Sequence, residues 1–189
     1  MPLILTAAPA AEPVSLTEAK AHLRVNHDDE DIFIAALIVA ARRAAEQATG
    51  LKLMAQGWSL LADRWPESSA LSLQVAPVSA VTDIITYGAD DTPDTVDPAH
   101  YYLDAASRPA RVVLREGRMS PQGGRKANAI EVRFRAGFGT TPDDVPQDLR
   151  QAILVAVAHW FDHRGDGGGG GLPLAALELL QPHRLVRLT

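Results

Sequence analysis

The apolar positions change spacing twice along the chain, and the changes mark its elements. Ser15-Leu16-Thr17-Glu18 has the hydroxyl-to-acid spacing of a capping box, and Leu16, Ala19 and Leu23 share one face of the short helix it opens. Asn26 and His27 are read as its end. A second helix is predicted from about Asp29 to Thr49, with Gly50 as the residue that stops it. Phe33, Leu37, Ala40, Ala44 and Ala48 form one stripe, and Ile34, Ile38 and Ala41 a neighbouring one. From Trp58 to Phe138 the period becomes two. Leu71, Leu73 and Val75 alternate with Ser72 and Gln74, and Ile130, Val132 and Phe134 alternate with Glu131, Arg133 and Arg135. Weaker strands are expected at Trp58–Ala62, Val81–Tyr87, Tyr101–Leu103 and Arg111–Leu114, with loops at Trp65–Ala70, Gly88–Pro98 and Gly117–Asn128. Helical spacing returns at Leu149, Ala152, Ile153, Ala156, Val157 and Trp160, flanked by Leu154 and Val155, and stops near Arg164.

These elements predict an α+β fold: a helical core of two long helices plus short ones, a β-rich antiparallel insertion and a C-terminal tail. The expected divisions are 1–55 (arm and core helices), 56–137 (insertion), 138–166 (core helix) and 167–189 (glycine hinge and tail). Residues 1–14 read as an extended arm. Both long helices are apolar almost all round, which suits burial on two sides. Phe33, Leu37, Ala40, Ala44, Leu154 and Val155 are therefore candidate contacts with a second copy. Beyond the hinge Gly167–Gly171, the segment 172–189 is apolar and basic, and such a segment needs a surface to cover it.

Composition narrows the function. The 189 residues carry 18 Lys+Arg against 23 Asp+Glu, a net charge of −5, where dedicated nucleic-acid binders need a basic face. An acidic balance is still compatible with a wall past which DNA slides. There is no cysteine, so disulfides, thiolate nucleophiles and Cys-based zinc sites are excluded. The start has no basic region before its short apolar patch, and no apolar run approaches the ~20 residues of a membrane span, so neither a signal peptide nor a membrane segment is expected.

Candidate chemistry is sparse. No Gly-x-Ser-x-Gly elbow surrounds a serine. His159 and His163, one helical turn apart, could share a metal, and a metal-dependent enzyme built on them is the alternative reading. However, Trp160 stands where a zinc hydrolase motif has glutamate. The run Asp28-Asp29-Glu30-Asp31 reads as a helix start whose acids complement the dipole. The aspartates of 90–97 lack the glycine and final glutamate of a calcium loop. Gly137-x-Gly139 lacks the third glycine of a phosphate loop. Arg111, Arg115, Arg118, Arg125, Lys126, Arg133 and Arg135 read as the solvated face of a sheet rather than a nucleic-acid surface. No catalytic residue, metal or cofactor is assigned, and enzymatic activity is not expected.

Three stretches carry a resemblance to a known family. They are Pro13-Val14-Ser15-Leu16-Thr17-Glu18-Ala19-Lys20-Ala21-His22-Leu23-Arg24, with the acidic run and the helix ending Glu46-Gln47-Ala48-Thr49-Gly50; then Gly137-Phe138-Gly139-Thr140-Thr141-Pro142-Asp143-Asp144-Val145-Pro146-Gln147-Asp148-Leu149, with the helix ending His159-Trp160-Phe161-Asp162-His163-Arg164; and Leu179-Leu180-Gln181-Pro182-His183-Arg184-Leu185-Val186-Arg187-Leu188. In this order they resemble the phage head–tail connector (adaptor) proteins, found also in gene transfer agents. The resemblance implies a ring of copies, commonly twelve, beneath a portal protein. The ring would extend the DNA channel without sequence-specific binding and dock a downstream head-closure or stopper protein. It implies a place in the neck of a virion or phage-like particle assembled in the bacterial host cytoplasm. It also makes Leu177, Leu179, Leu180, Pro182, His183, Arg184, Val186, Arg187 and Leu188 the expected portal contacts. Another neck or tail completion protein is the nearest structural alternative.

Overall fold

The computed structural model describes residues 1–164 and 171–185. The chain divides into two compact units, one from Met1–Pro9 and Ala55–Gly137, the other from Ala10–Met54 and Phe138–Thr189.

The first unit is all β. Its five-stranded antiparallel sheet runs in the order β1 (Leu3–Ala7), β2 (Gln56–Ala62), β8 (Ile130–Ala136), β4 (Val78–Tyr87), β5 (Pro93–Thr95). A three-stranded sheet runs β3 (Ala70–Ser72), β7 (Arg111–Leu114), β6 (Tyr101–Asp104). The strand with the cleanest alternation, β8, takes the centre, paired along its whole length with β2 and β4. Its inward residues Ile130, Val132 and Phe134 join Leu60, Ile84, Leu71, Leu73 and Val112 in one buried cluster.

Three features of this unit differ from the expectation. The N-terminal arm is not free: Leu3-Ile4-Leu5 pairs with β2 and forms the sheet's edge. The strand at Leu71 is short, because Leu73 and Val75, although buried, lie beyond its ladder with β7. The loop 88–98 contains β5, which pairs with β4 from Ile85 to Tyr87.

The second unit is helical: α1 (Leu16–Leu23), α2 (Asp31–Thr49), α3 (Gln147–Asp162) and α4 (Leu174–Leu180). The Ser15 hydroxyl caps α1 by accepting from the Glu18 amide at 3.1 Å. The helix stops at Arg24, in the left-handed region at φ 59°, two residues before the expected end. Gly50 ends α2 with φ 77°, where a side chain would be strained. Ile34, Ile38, Ala41 and Ala45 of α2 meet Leu149, Ala152, Ile153, Ala156 and Val157 of α3, the alanines allowing close approach. The chain leaves for the β unit and returns at neighbouring points: the Phe138 amide donates to the Leu53 carbonyl at 3.1 Å, and Met54 bridges Gly139.

Arginines tie the N-terminal segment to this unit. Arg42 donates to Glu12 at 2.6 Å and lies 3.4 Å from Glu46. Arg150 donates to both carboxylate oxygens of Glu18 at 2.9 and 3.0 Å, to the Pro13 carbonyl at 3.1 Å and to Asp143 at 3.2 Å. The acidic run is partly engaged as well: Lys20 lies 2.7 Å from Asp28 and 2.6 Å from Asp31.

Candidate assembly surfaces

The tail was expected to need a covering surface, and part of its described length finds one in its own unit. Leu174-Ala175-Ala176-Leu177-Glu178-Leu179-Leu180 forms α4, and the i, i+4 pair Ala176 and Leu180 is buried in the helical core, with Leu179 half-buried against it. The segment after α4 is tied down too. The Leu185 amide donates to the Thr49 carbonyl at 2.9 Å, and His183 Nε2 lies 2.5 Å from Asp148. Leu180 is thus spent inside its own subunit and is corrected from the portal-facing set, as the only fully buried member among the described residues. Leu177 (42% exposed), Pro182 and Arg184 stay at the surface, His183 is half-buried, and Leu174 is 72% exposed. A groove of about 290 Å³ lies among Ala48, Leu174, Leu177, Leu180 and Arg184. Val186, Arg187, Leu188 and most of the glycine hinge lie outside the described residues.

The proposed copy-to-copy face divides in the same way. Ala40 is exposed, and Leu37, Ala44 and Val155 are half-buried. Phe33 is partly covered within the subunit, its ring 6.1 Å from that of Phe161 and 5.0 Å beneath the Arg164 guanidinium, which also pairs with Glu30 at 3.0 Å. Leu154 is buried in the core, because the flank of α3 that carries it meets its own unit, so it is corrected from the surface set. Ile32, 89% exposed, had not been singled out; it precedes Ala36 and Ala40 at four-residue spacing on the outward side of α2. A wide apolar helix hides such a residue from periodicity, because every face of it looks buried.

Both histidines sit at the end of α3, His159 in its last turn and His163 as its C-cap. The rings of His159 and His163 lie 4.4 Å apart between centroids, tilted by 33°, and His163 Nδ1 is 2.7 Å from the His159 carbonyl. Among the described residues no group of three or more His, Cys, Asp or Glu is placed to hold a metal. Several arginines of the β unit face acids or rings of that unit. Arg111 donates to Asp104 at 2.8 Å, Arg125 pairs with Asp91 and lies 4.0 Å over Tyr87, and Arg115 lies 5.5 Å from the Tyr102 ring.

Glu131, expected on the solvated face of β8, is 8% exposed. Ser59 of β2 donates to it at 2.6 Å, Tyr87 of β4 at 2.5 Å and Arg133 at 2.9 and 3.2 Å. Burial alone would raise its pKa; hydrogen bonds from Arg133, Ser59 and Tyr87 outweigh burial and hold it down at about 2. A carboxyl with a depressed folded pKa stabilises above its ordinary range and loses that contribution as pH falls through the folded value. Glu131→Gln is therefore expected to cost about 1–3 kcal/mol at neutral pH. The gap to the parent should close between pH 4.5 and about 2, read from urea midpoints across that range. A gap that stayed constant would rule out the charged hub.

The model of the head completion protein family matches residues 13–167. Solved structures resemble the chain over its full length. A chain in the neck of an empty GTA particle, computed with C6 symmetry, is 28% identical with a TM-score of 0.83, covering 100% of this chain and 98% of that one. A chain in the virion of a native gene transfer agent (GTA) particle is 26% identical, with the same TM-score and coverage. A chain in the neck of a native GTA particle computed with C12 symmetry is 28% identical, with a TM-score of 0.74 and the same coverage. No curated protein matches the chain.

Proposed function

Because the chain belongs to the head completion protein family, we propose that it is a non-enzymatic structural subunit of the neck of a phage-like particle. It packs with copies of itself in a ring beneath the portal, extends the DNA channel and receives a downstream closure or stopper protein. The observation that carries this reading is likeness at full length, both units included, to chains of gene transfer agent particles. The net charge of −5 suits a channel wall that does not hold DNA. The outward side of α2, with Ile32, Ala36 and Ala40, and the half-buried Leu37 and Ala44 at its margin, supplies apolar surface for the neighbouring copy.

The portal contact is assigned to the exposed part of the tail, Leu177, Pro182 and Arg184, with Leu174 beside them. Truncation after Gly171 is a poor test, because it removes Ala176 and Leu180 from the core. Surface substitutions are better. Leu177→Asp with Arg184→Glu is expected to abolish capture by the portal ring in a pull-down while leaving the melting temperature within a few degrees of the parent. Undiminished capture by this variant would remove the tail from the portal contact. Failure of the parent chain to be captured would count against the neck assignment itself.

A further inference from the structure

The edge strand β1 is barely covered by its own chain. Of its five residues only Leu3 is half-buried, and Ile4 to Ala7 are exposed. It pairs on one side alone, with β2, and the register slips between Leu5 and Ala7. Of the devices by which natural edges discourage pairing, charge and proline are missing from the strand, with no charged side chain from Met1 to Ala11, and only the slip of register is present. The opposite edge, β5, is the contrast: three exposed residues that include Pro93 and Asp94. Beyond β1 the chain passes through Ala8-Pro9-Ala10-Ala11 and is then anchored in the helical unit, by Glu12 on Arg42, Pro13 on Arg150 and the buried Val14. A short proline-containing tether thus joins a firmly held segment to a lightly held strand.

We propose that β1 is an exchanged strand: in the assembled ring, Leu3–Ala7 of one copy pairs with β2 of the next copy, as it pairs here with β2 of its own chain. This rests on the ring reading above. Exchange preserves every strand contact, so only the path of the tether changes. Releasing β1 costs little because it buries little. Copies fixed side by side present the vacated β2 edge at high effective concentration. Four tether residues reach at most about 14 Å, so only an adjacent copy qualifies. Donor strand and acceptor edge are different surfaces, as a head-to-tail contact in a cyclic ring requires.

The absence of cysteine makes the test direct. Ala7 faces Gly57 in register, and a Cβ placed on Gly57 would lie 3.0 Å from that of Ala7. A small relaxation brings the pair to the roughly 3.5–4.5 Å of a disulfide. The full-length variant Ala7→Cys/Gly57→Cys is concentrated, oxidised and run on a denaturing gel without reductant, with light scattering on the same sample. The expected result is a ladder of covalent multimers that reductant collapses, and a cross-linked dimer when the two single variants are mixed. A monomer band from a sample that scatters as a ring overturns the exchange and leaves the ring standing, whether the thiols are closed within the chain or still free. A product that stops at dimer overturns the head-to-tail form. A sample monomeric at every concentration, also when its portal ring is added, overturns the ring and the exchange together.

Discussion

Replacing Phe134 with alanine is expected to destabilise the β unit by about 3–5 kcal/mol. The side chain is 1% exposed and sits on β8, the middle strand of the five-stranded sheet. It stands in register with Trp58 on one side and Val81 on the other, and faces the cluster that joins the two sheets. Removing the ring loses its transfer energy and leaves a cavity between paired strands that cannot close without breaking register. Urea unfolding followed through tryptophan fluorescence reads the loss as a lower midpoint at nearly unchanged slope. Phe134→Leu, which keeps most of the volume, should recover much of it. A change below 1 kcal/mol for the alanine would mean that the two sheets do not share this core.

The second large effect is expected at Arg150. Its side chain is 14% exposed and its hydrogen bonds go to Glu18, Pro13, Asp143 and Gln147. Arg150→Ala strands the Glu18 carboxylate against the helical core and unpins α1, at a cost of about 3 kcal/mol. Apolar replacement of both partners, Arg150→Met with Glu18→Met, should be milder than Arg150→Ala alone, because no charge is then left without its partner. The coupling between positions 18 and 150 is measured with a double-mutant cycle in urea. Independent, additive effects would show that the pair is not a unit.

That pair also shows what could be read from the sequence. Glu18 stands in the first of the three diagnostic stretches, and Arg150 in the helix of the second. Local rules identify what each stretch does by itself: the Ser15 cap, the Gly50 stop and the alternation of β8 depend on near neighbours and appear where expected. That the two stretches touch is a fact of packing, and no local pattern carries it. Glu131 fails for the same reason. Alternation placed it outward, but Ser59, 72 residues upstream, and Tyr87, 44 upstream, close over it from the flanking strands. β1 was legible in composition, as Leu-Ile-Leu-Thr between two prolines, but an edge strand needs its acceptor to be known before it differs from an arm.

The tail illustrates a different limit. An apolar segment beyond a glycine hinge signals that something must cover it, and the sequence does not state which surface. Ala176 and Leu180 are covered by the subunit's own core, while Leu174 and Leu177 remain outside. The four-residue spacing of the buried pair was the available sign of a helix with two faces, one folding inward and one left exposed.

The meeting of the two ends of the β excursion bears on the order in which the chain folds. Gln56 pairs with Ala136 across β2 and β8, and Leu53 meets Phe138 just beyond them. In the unfolded chain, bringing α2 to α3 means closing a loop of roughly a hundred residues, with an entropic cost that opposes their encounter. Once β2 and β8 have zipped, that loop is already closed and the two helices are delivered to each other as near neighbours. Sheet pairing and helix pairing thus close nearly the same loop, and whichever forms first lowers the entropic cost of the other. On the ribosome, α1 and α2 must wait for the whole strand-rich segment to emerge, holding their apolar faces uncovered until α3 arrives.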